Sequence, residues 1–213
     1  GVDTELFDPS RRSEDLRRSW GCPPAGLVVV YVGRLAAEKN LDLAVAAFQR
    51  VSSRDPQAKF VLVGDGPALE RLRLAHPDLV LTGAKVGVDL AEHYASGDLF
   101  LFPSLTETFG NVVPEAMASG LPVIAFDYAA GACIRSWENG ITVPMGDADA
   151  FIDAAAAAAC DDARLRSMGK SALATAENMS WGRAIGGLEE RLFEVIGSRR
   201  TEHRHETLAT TPE

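Results

Sequence analysis

Three short segments of this 213-residue chain place anion-binding or hydroxyl-binding groups beside glycine. In the first, Gly33-Arg34-Leu35 is followed five residues after the arginine by Lys39. Arg34 offers a planar fork of N–H donors that matches phosphate oxygens, and Lys39 a mobile point charge. In the second, Gly64-Asp65-Gly66-Pro67 makes a tight turn whose glycines let a ligand approach the backbone closely. Pro67 and the missing third glycine set it apart from a dinucleotide-binding fingerprint. The third runs from Pro103 to Ala116 and holds Glu107 and Glu115, eight positions apart. Gly110 and the helical turn after it expose backbone amides, with Glu107 in front of them and Glu115 more than a turn behind. That spacing suits two carboxylates accepting hydrogen bonds from different hydroxyls of one elongated ligand, such as a sugar or a ribose. Each segment taken alone also has a plainer reading: surface charges for Arg34 and Lys39, a simple turn for 64–67, a cap and a solvated helix face for the glutamates.

Other polar groupings lead nowhere. Asp147-Ala148-Asp149 has the spacing of an acidic metal pair, but it stands where an alanine-rich helix needs its N-cap. His203 and His205 lie in a polar tail. His76 and His93 lack acidic or cysteine partners at ligand spacing, and no Gly-x-Ser-x-Gly occurs, so no metal site is expected. Cys22, Cys133 and Cys160 form no Cys-x-x-Cys pair, which points to free, mostly buried thiols in a reducing compartment.

The elements that must position these groups alternate. Strands are expected at 27–33, 59–64, 79–82, 98–103, 122–126 and 141–143, from their apolar, often β-branched runs. Between them, helices are expected at 41–51, 67–75 (led by Pro67), 88–95 and 111–119. This strand–helix alternation predicts an α/β fold, a doubly wound parallel sheet with helical crossovers. Ligands of such sheets bind at the carboxyl ends of the strands, where all three segments fall. A short helix at 13–20 precedes the sheet within a lead-in rich in proline and charge. After it come helices from Asp147 or Asp149 to Cys160, over 163–178, and along a stripe of Ile185, Leu188, Leu192 and Val195. Residues 198–213 are polar and aperiodic and are expected to be disordered, leaving 1–197 as one domain.

Apolar residues make up 46% and charged residues 24% of the chain, and the net charge of −9 excludes a nucleic-acid surface, which needs a positive stripe. No 18-residue apolar run and no signal-peptide pattern occurs, so a cytoplasmic location is expected. The first residue is Gly1, not methionine, which reads as a processed or partial chain.

Taken in order, with Gly1-Val2-Asp3 and Phe7 ahead and Gly120-Leu121-Pro122-Val123 behind, the segments resemble the C-terminal domain of glycosyltransferase family 4. The likeness runs from Gly1 to about Gly197, and its strength lies in the common order of individually weak pieces. The resemblance implies a Rossmann-like domain, the C-terminal half of a GT-B enzyme whose two domains face each other across a cleft. It implies a retaining transferase that takes a nucleotide-diphosphate sugar and needs no metal or other cofactor. Carried over, Arg34 and Lys39 neutralise the departing diphosphate and Glu107 contacts the donor sugar. Phe109, Gly110 and Asn111 present amides to sugar and phosphate, Glu115 holds the ribose hydroxyls, and the loop of Gly83, Ala84 and Lys85 borders the base. Gly33, Gly64 and Gly66 complete the donor-binding set.

The segments from Glu107 to Glu115 and from Phe126 to Ala130 are most similar to bacterial GDP-mannose-dependent α-mannosyltransferases and to sulfolipid-synthase-like relatives. The expected reaction is therefore transfer of a hexose, mannose first, from a GDP- or UDP-sugar to a sugar or lipid-linked acceptor. A UDP-sugar-dependent glucosyl- or sulfoquinovosyltransferase is an alternative, as is a non-catalytic nucleotide-binding module acting with a partner. An epimerase or phosphorylase of the same fold fits less well. Cys133 departs from the pattern, since many relatives carry glutamate there. An N-terminal acceptor domain, expected to supply acceptor contacts and peripheral membrane contact, lies outside these residues. The domain alone is expected to bind nucleotide weakly and transfer nothing.

Overall fold

A computed structural model describes residues 1–106, 111–186, 189 and 191. Six strands, β1 (Val28–Val32), β2 (Lys59–Val63), β3 (Val80–Gly83), β4 (Leu99–Phe102), β5 (Val123–Phe126) and β6 (Gly140–Val143), form one sheet in the order β3-β2-β1-β4-β5-β6. Every pairing is parallel. β1 and β4 are buried along their whole length, as near-continuous Val, Leu and Phe runs require when helices cover both faces of a sheet.

The connections are α2 (Leu41–Ser52), α3 (Leu69–Ala75), α4 (Gly87–Ala95) and α5 (Val112–Ala118). From β1 to β2 the chain moves one way across the sheet, and from β4 to β5 the other. Right-handed crossovers therefore put α2 and α5 on opposite faces. The later helices α6 (Ala148–Ala159) and α7 (Asp162–Glu177) complete the two layers, α6 against α2 and α7 against α5. The doubly wound α/β architecture expected from the sequence is thus present.

Local details refine the sequence reading. Asp147 is the N-cap of α6, its carboxylate accepting from the Ala150 amide at 2.9 Å, so the pair with Asp149 serves the helix. α3 begins at Leu69 rather than Pro67, because Pro67 is taken up by the turn that Gly66 and Leu69 close at 3.0 Å. α5 begins at Val112 with Asn111 as its N-cap, which moves Glu115 into the first turn instead of more than a turn behind it. The thiols are less buried than expected: Cys22 is buried, Cys133 half-buried and Cys160 exposed. Cys160 sits at the C-terminal end of α6, where the Arg54 guanidinium approaches it to 3.2 Å.

The lead-in is tied firmly to the sheet. Arg17, in α1 (Glu14–Ser19), is 2% exposed. Its guanidinium donates to Asp98 Oδ2 at 2.9 Å and to the carbonyls of Ser96 and Gly26. Asp98 in turn accepts from the Val28 amide at 2.7 Å, which anchors the start of β1. Trp181 and Ile185, on the helical segment after α7, are about half exposed. Leu188, Leu192, Val195 and the tail 198–213 lie outside the described residues, as do Glu107, Phe109 and Gly110.

Candidate functional site

Strand order reverses between β1 and β4, and the loops that leave these strands border the crevice where open α/β sheets hold ligands. Four loops are laced together there by backbone hydrogen bonds. The Gly64 amide donates to the Gly83 carbonyl at 2.9 Å, joining the loops after β2 and β3. The Leu35 amide donates to the Asp65 carbonyl at 2.8 Å, and the Ala68 amide to the Leu35 carbonyl at 2.9 Å, joining those after β1 and β2. The Leu105 amide reaches the Glu38 carbonyl at 3.4 Å and brings the loop after β4 to the loop carrying Arg34 and Lys39.

The glycines of the second segment make this lacing possible. A Cβ on Gly64 would stand 1.9 Å from the Gly33 carbonyl oxygen, and one on Gly66 2.4 Å from that of Leu35. Both residues also hold φ values, 151° and 154°, that side-chain-bearing residues rarely adopt. The close approach that the sequence allowed to a ligand is thus made first by the neighbouring backbone. Gly83 differs, since a Cβ there would meet nothing within 4 Å, so its surroundings are open.

Arg34 is exposed and pairs with Glu38 at 3.7 Å, a solvated contact of the kind that contributes under about 1 kcal/mol. Its guanidinium can exchange that partner for an anion at little cost. Lys39 ends a 3-10 turn, Ala37–Lys39, and is half-buried just ahead of α2. Asn40 follows at φ 52° as the N-cap of α2. Lys85 is engaged with Asp89 at 3.1 Å on the first turn of α4.

Glu115 is neither a cap nor a solvated face. Its Oε2 accepts from the Tyr94 hydroxyl at 3.0 Å, and Tyr94 is fully buried. Among the described residues Oε1 has no hydrogen-bond partner. Burial raises the Glu115 carboxyl above its ordinary value, and the Tyr94 bond works against that rise. Sequence reasoning missed Tyr94. The available signal was a polar-tipped aromatic among the apolar positions of α4. It also missed the acidic partner of His93: Asp89, one helical turn earlier, approaches Nδ1 to 3.3 Å, while the ring donates to the Asp89 carbonyl at 2.6 Å. That ring is buried against Trp20, which makes it a packed histidine.

A cleft of about 610 Å³ opens at the other end of the strands, where Gly26 and Leu27 precede β1 and Asp98 precedes β4. None of the sequence-predicted site residues lines it. Among the described residues no group of three His, Cys, Asp or Glu side chains is placed to hold a metal, and no helix is long and apolar enough to cross a membrane.

The family model described as "Glycosyl transferases group 1" matches residues 26–162. Among curated proteins, the chain is 44% identical over 149 residues to a GDP-mannose-dependent alpha-mannosyltransferase of Mycobacterium tuberculosis, covering 69% of this chain and 38% of that protein. It is 43% identical over 129 residues to the sulfoquinovosyl transferase SQD2 of Arabidopsis thaliana, covering 59% of this chain and 24% of that one. Among solved structures, a sucrose-phosphate synthase from Thermosynechococcus elongatus superposes with a TM-score of 0.74 at 28% identity, over 92% of this chain and 52% of its own. The chain therefore spans between about a quarter and a half of the length of these three proteins.

Proposed function

Because the chain belongs to the glycosyl transferases group 1 family, we propose that it is the donor-binding domain of a retaining hexosyltransferase. The donor is a nucleotide-diphosphate sugar, GDP-mannose first. Breaking the bond between anomeric carbon and diphosphate leaves negative charge on the phosphate and positive charge on the sugar ring. Arg34 and Lys39 neutralise the former, in place of a metal ion, and the family resemblance assigns Glu107 to the donor sugar. Fixed cations stabilise such a leaving group most where water is excluded. Each charge-assisted hydrogen bond contributes roughly 1.5–3 kcal/mol. The second Rossmann-like domain of the full enzyme closes over the site and carries the acceptor.

The observation that supports this reading most is the Leu105 to Glu38 hydrogen bond. It sets the Arg34 and Lys39 loop against the β4 loop at the point where strand order reverses. Similarity to the M. tuberculosis mannosyltransferase favours GDP-mannose. Similarity to the sulfoquinovosyl transferase favours a second reading, transfer of sulfoquinovose, for which the sequence resemblance implies a UDP-sugar donor. Calorimetric titration of the chain with GDP, UDP, ADP and their sugar conjugates tests both. Preference for GDP and GDP-mannose supports the first reading and preference for UDP conjugates the second. Binding of none of them rejects both.

A further inference from the structure

Resting on that reading, we propose that Tyr94 is the positioning residue for Glu115, holding one carboxylate oxygen so that the other is presented to the ribose hydroxyls of the donor nucleotide. The contact joins two helices that lie on the same face of the sheet, α4 and α5. The Tyr94 ring has little freedom. Phe7 from the lead-in meets it edge-on with centroids 5.6 Å apart, and Phe100 of β4 lies at 5.7 Å. With the ring clamped, the phenol oxygen has one place to point, and Glu115 Oε2 is there at 3.0 Å.

The chemistry divides the carboxylate's two ends. A deeply buried phenol stays protonated, so it acts as a donor and fixes Oε2. Oε1, without a partner among the described residues, is left to accept from a ligand. A half-buried carboxylate with one oxygen pinned loses little rotamer freedom when a hydroxyl pair arrives. A site built to receive such hydroxyls should reject the analogue that lacks one, because the carboxylate is then left desolvated and unpaired. Tyr94 thereby becomes a determinant of ribose recognition without touching the nucleotide.

The test is calorimetry on the 213-residue chain with GDP, UDP and ADP and the 2′-deoxy counterpart of each. For whichever binds, the wild-type chain should prefer the ribonucleotide by about tenfold or more. Tyr94→Phe, which keeps the ring, should weaken ribonucleotide binding by about tenfold to a hundredfold. It should leave the deoxynucleotide nearly unchanged, so that the preference collapses. Glu115→Gln should collapse it too, and Tyr94→Phe should add nothing in a Glu115→Ala background. If Tyr94→Phe weakens both nucleotides equally, or leaves the preference intact while Glu115→Gln abolishes it, the positioning role is wrong and the ribose reading of Glu115 stands. If Glu115→Gln also leaves the preference intact, that ribose reading fails and the proposal falls with it. If the chain binds none of the nucleotides, the functional reading itself fails.

Discussion

A Cβ on Gly64 would lie 1.9 Å from the carbonyl oxygen of Gly33, closer than any non-bonded pair can stand. The loops after β1 and β2 therefore pack backbone against backbone. This contact holds the segment bearing Arg34, together with the Tyr31 hydroxyl, which donates to the Arg34 carbonyl at 3.1 Å. Gly64→Ala must either push the loops apart or force alanine to a φ near 151°. Strain of that kind costs about 1–3 kcal/mol before the clash is counted. We expect a lower unfolding midpoint together with weakened nucleoside diphosphate binding. Unchanged binding in the variant would mean that this lacing does not shape the site.

Adjacent arginines on α1 should behave very differently. Arg17 is 2% exposed and bonded to Asp98, whereas Arg18 is exposed and pairs with Asp15. Removing Arg17 takes a charged donor from Asp98 and from the Ser96 and Gly26 carbonyls, although Asp98 keeps Arg12, so Arg17→Met should cost about 3 kcal/mol. Arg18→Ala should cost less than about 1 kcal/mol. Urea unfolding of the two variants separates them, and equal losses would remove Arg17 as the anchor of the lead-in.

Stability should also fall in mild acid through His93. Burial pushes its pKa below the ordinary value of 6.5, against the opposing pull of the Asp89 carbonyl and carboxylate. Lys85, paired with the same carboxylate, adds to the lowering. The folded chain therefore resists a proton that the unfolded chain accepts. Its contribution is intact above about pH 6.5 and is lost as pH drops below that value towards the folded pKa. Glu115 has the opposite sign, since its raised pKa favours the folded state as acid protonates it. Thermal unfolding across pH 5–8 should show a shallower fall in His93→Phe than in the wild-type chain. Parallel curves would show that this ring does not set the slope.

How much of this could be read in advance depended on the range of the interaction. β1 was legible because Val28–Val32 is a β-branched run bounded by glycine, and the Asp147 cap because its signal lies within one helical turn. Arg34 and Lys39 were legible as residue types following a strand. Tyr94 was not, because its partner Glu115 is 21 positions away and they meet only when α4 and α5 share a face. The same holds for Arg17 and Asp98, 81 positions apart. Gly64 and Gly66 announced a close approach, but the sequence could not say that the approaching group was the backbone of Gly33 and Leu35.

On the proposed reading, the rim of Arg34 and Lys39 faces a charge that grows as the donor is cleaved. A nucleoside diphosphate carries the leaving group's full charge, whereas the intact nucleotide sugar carries less. Catalytic neutralisation requires the rim to hold the former more strongly than the latter. The direct measurement is calorimetric affinity of the wild-type chain and of the Arg34→Gln, Lys39→Gln double variant for GDP and for GDP-mannose. We predict a loss of about a hundredfold for GDP and about tenfold for GDP-mannose, from charge-assisted bonds to phosphate. Equal losses for the two ligands, or none for either, would contradict it.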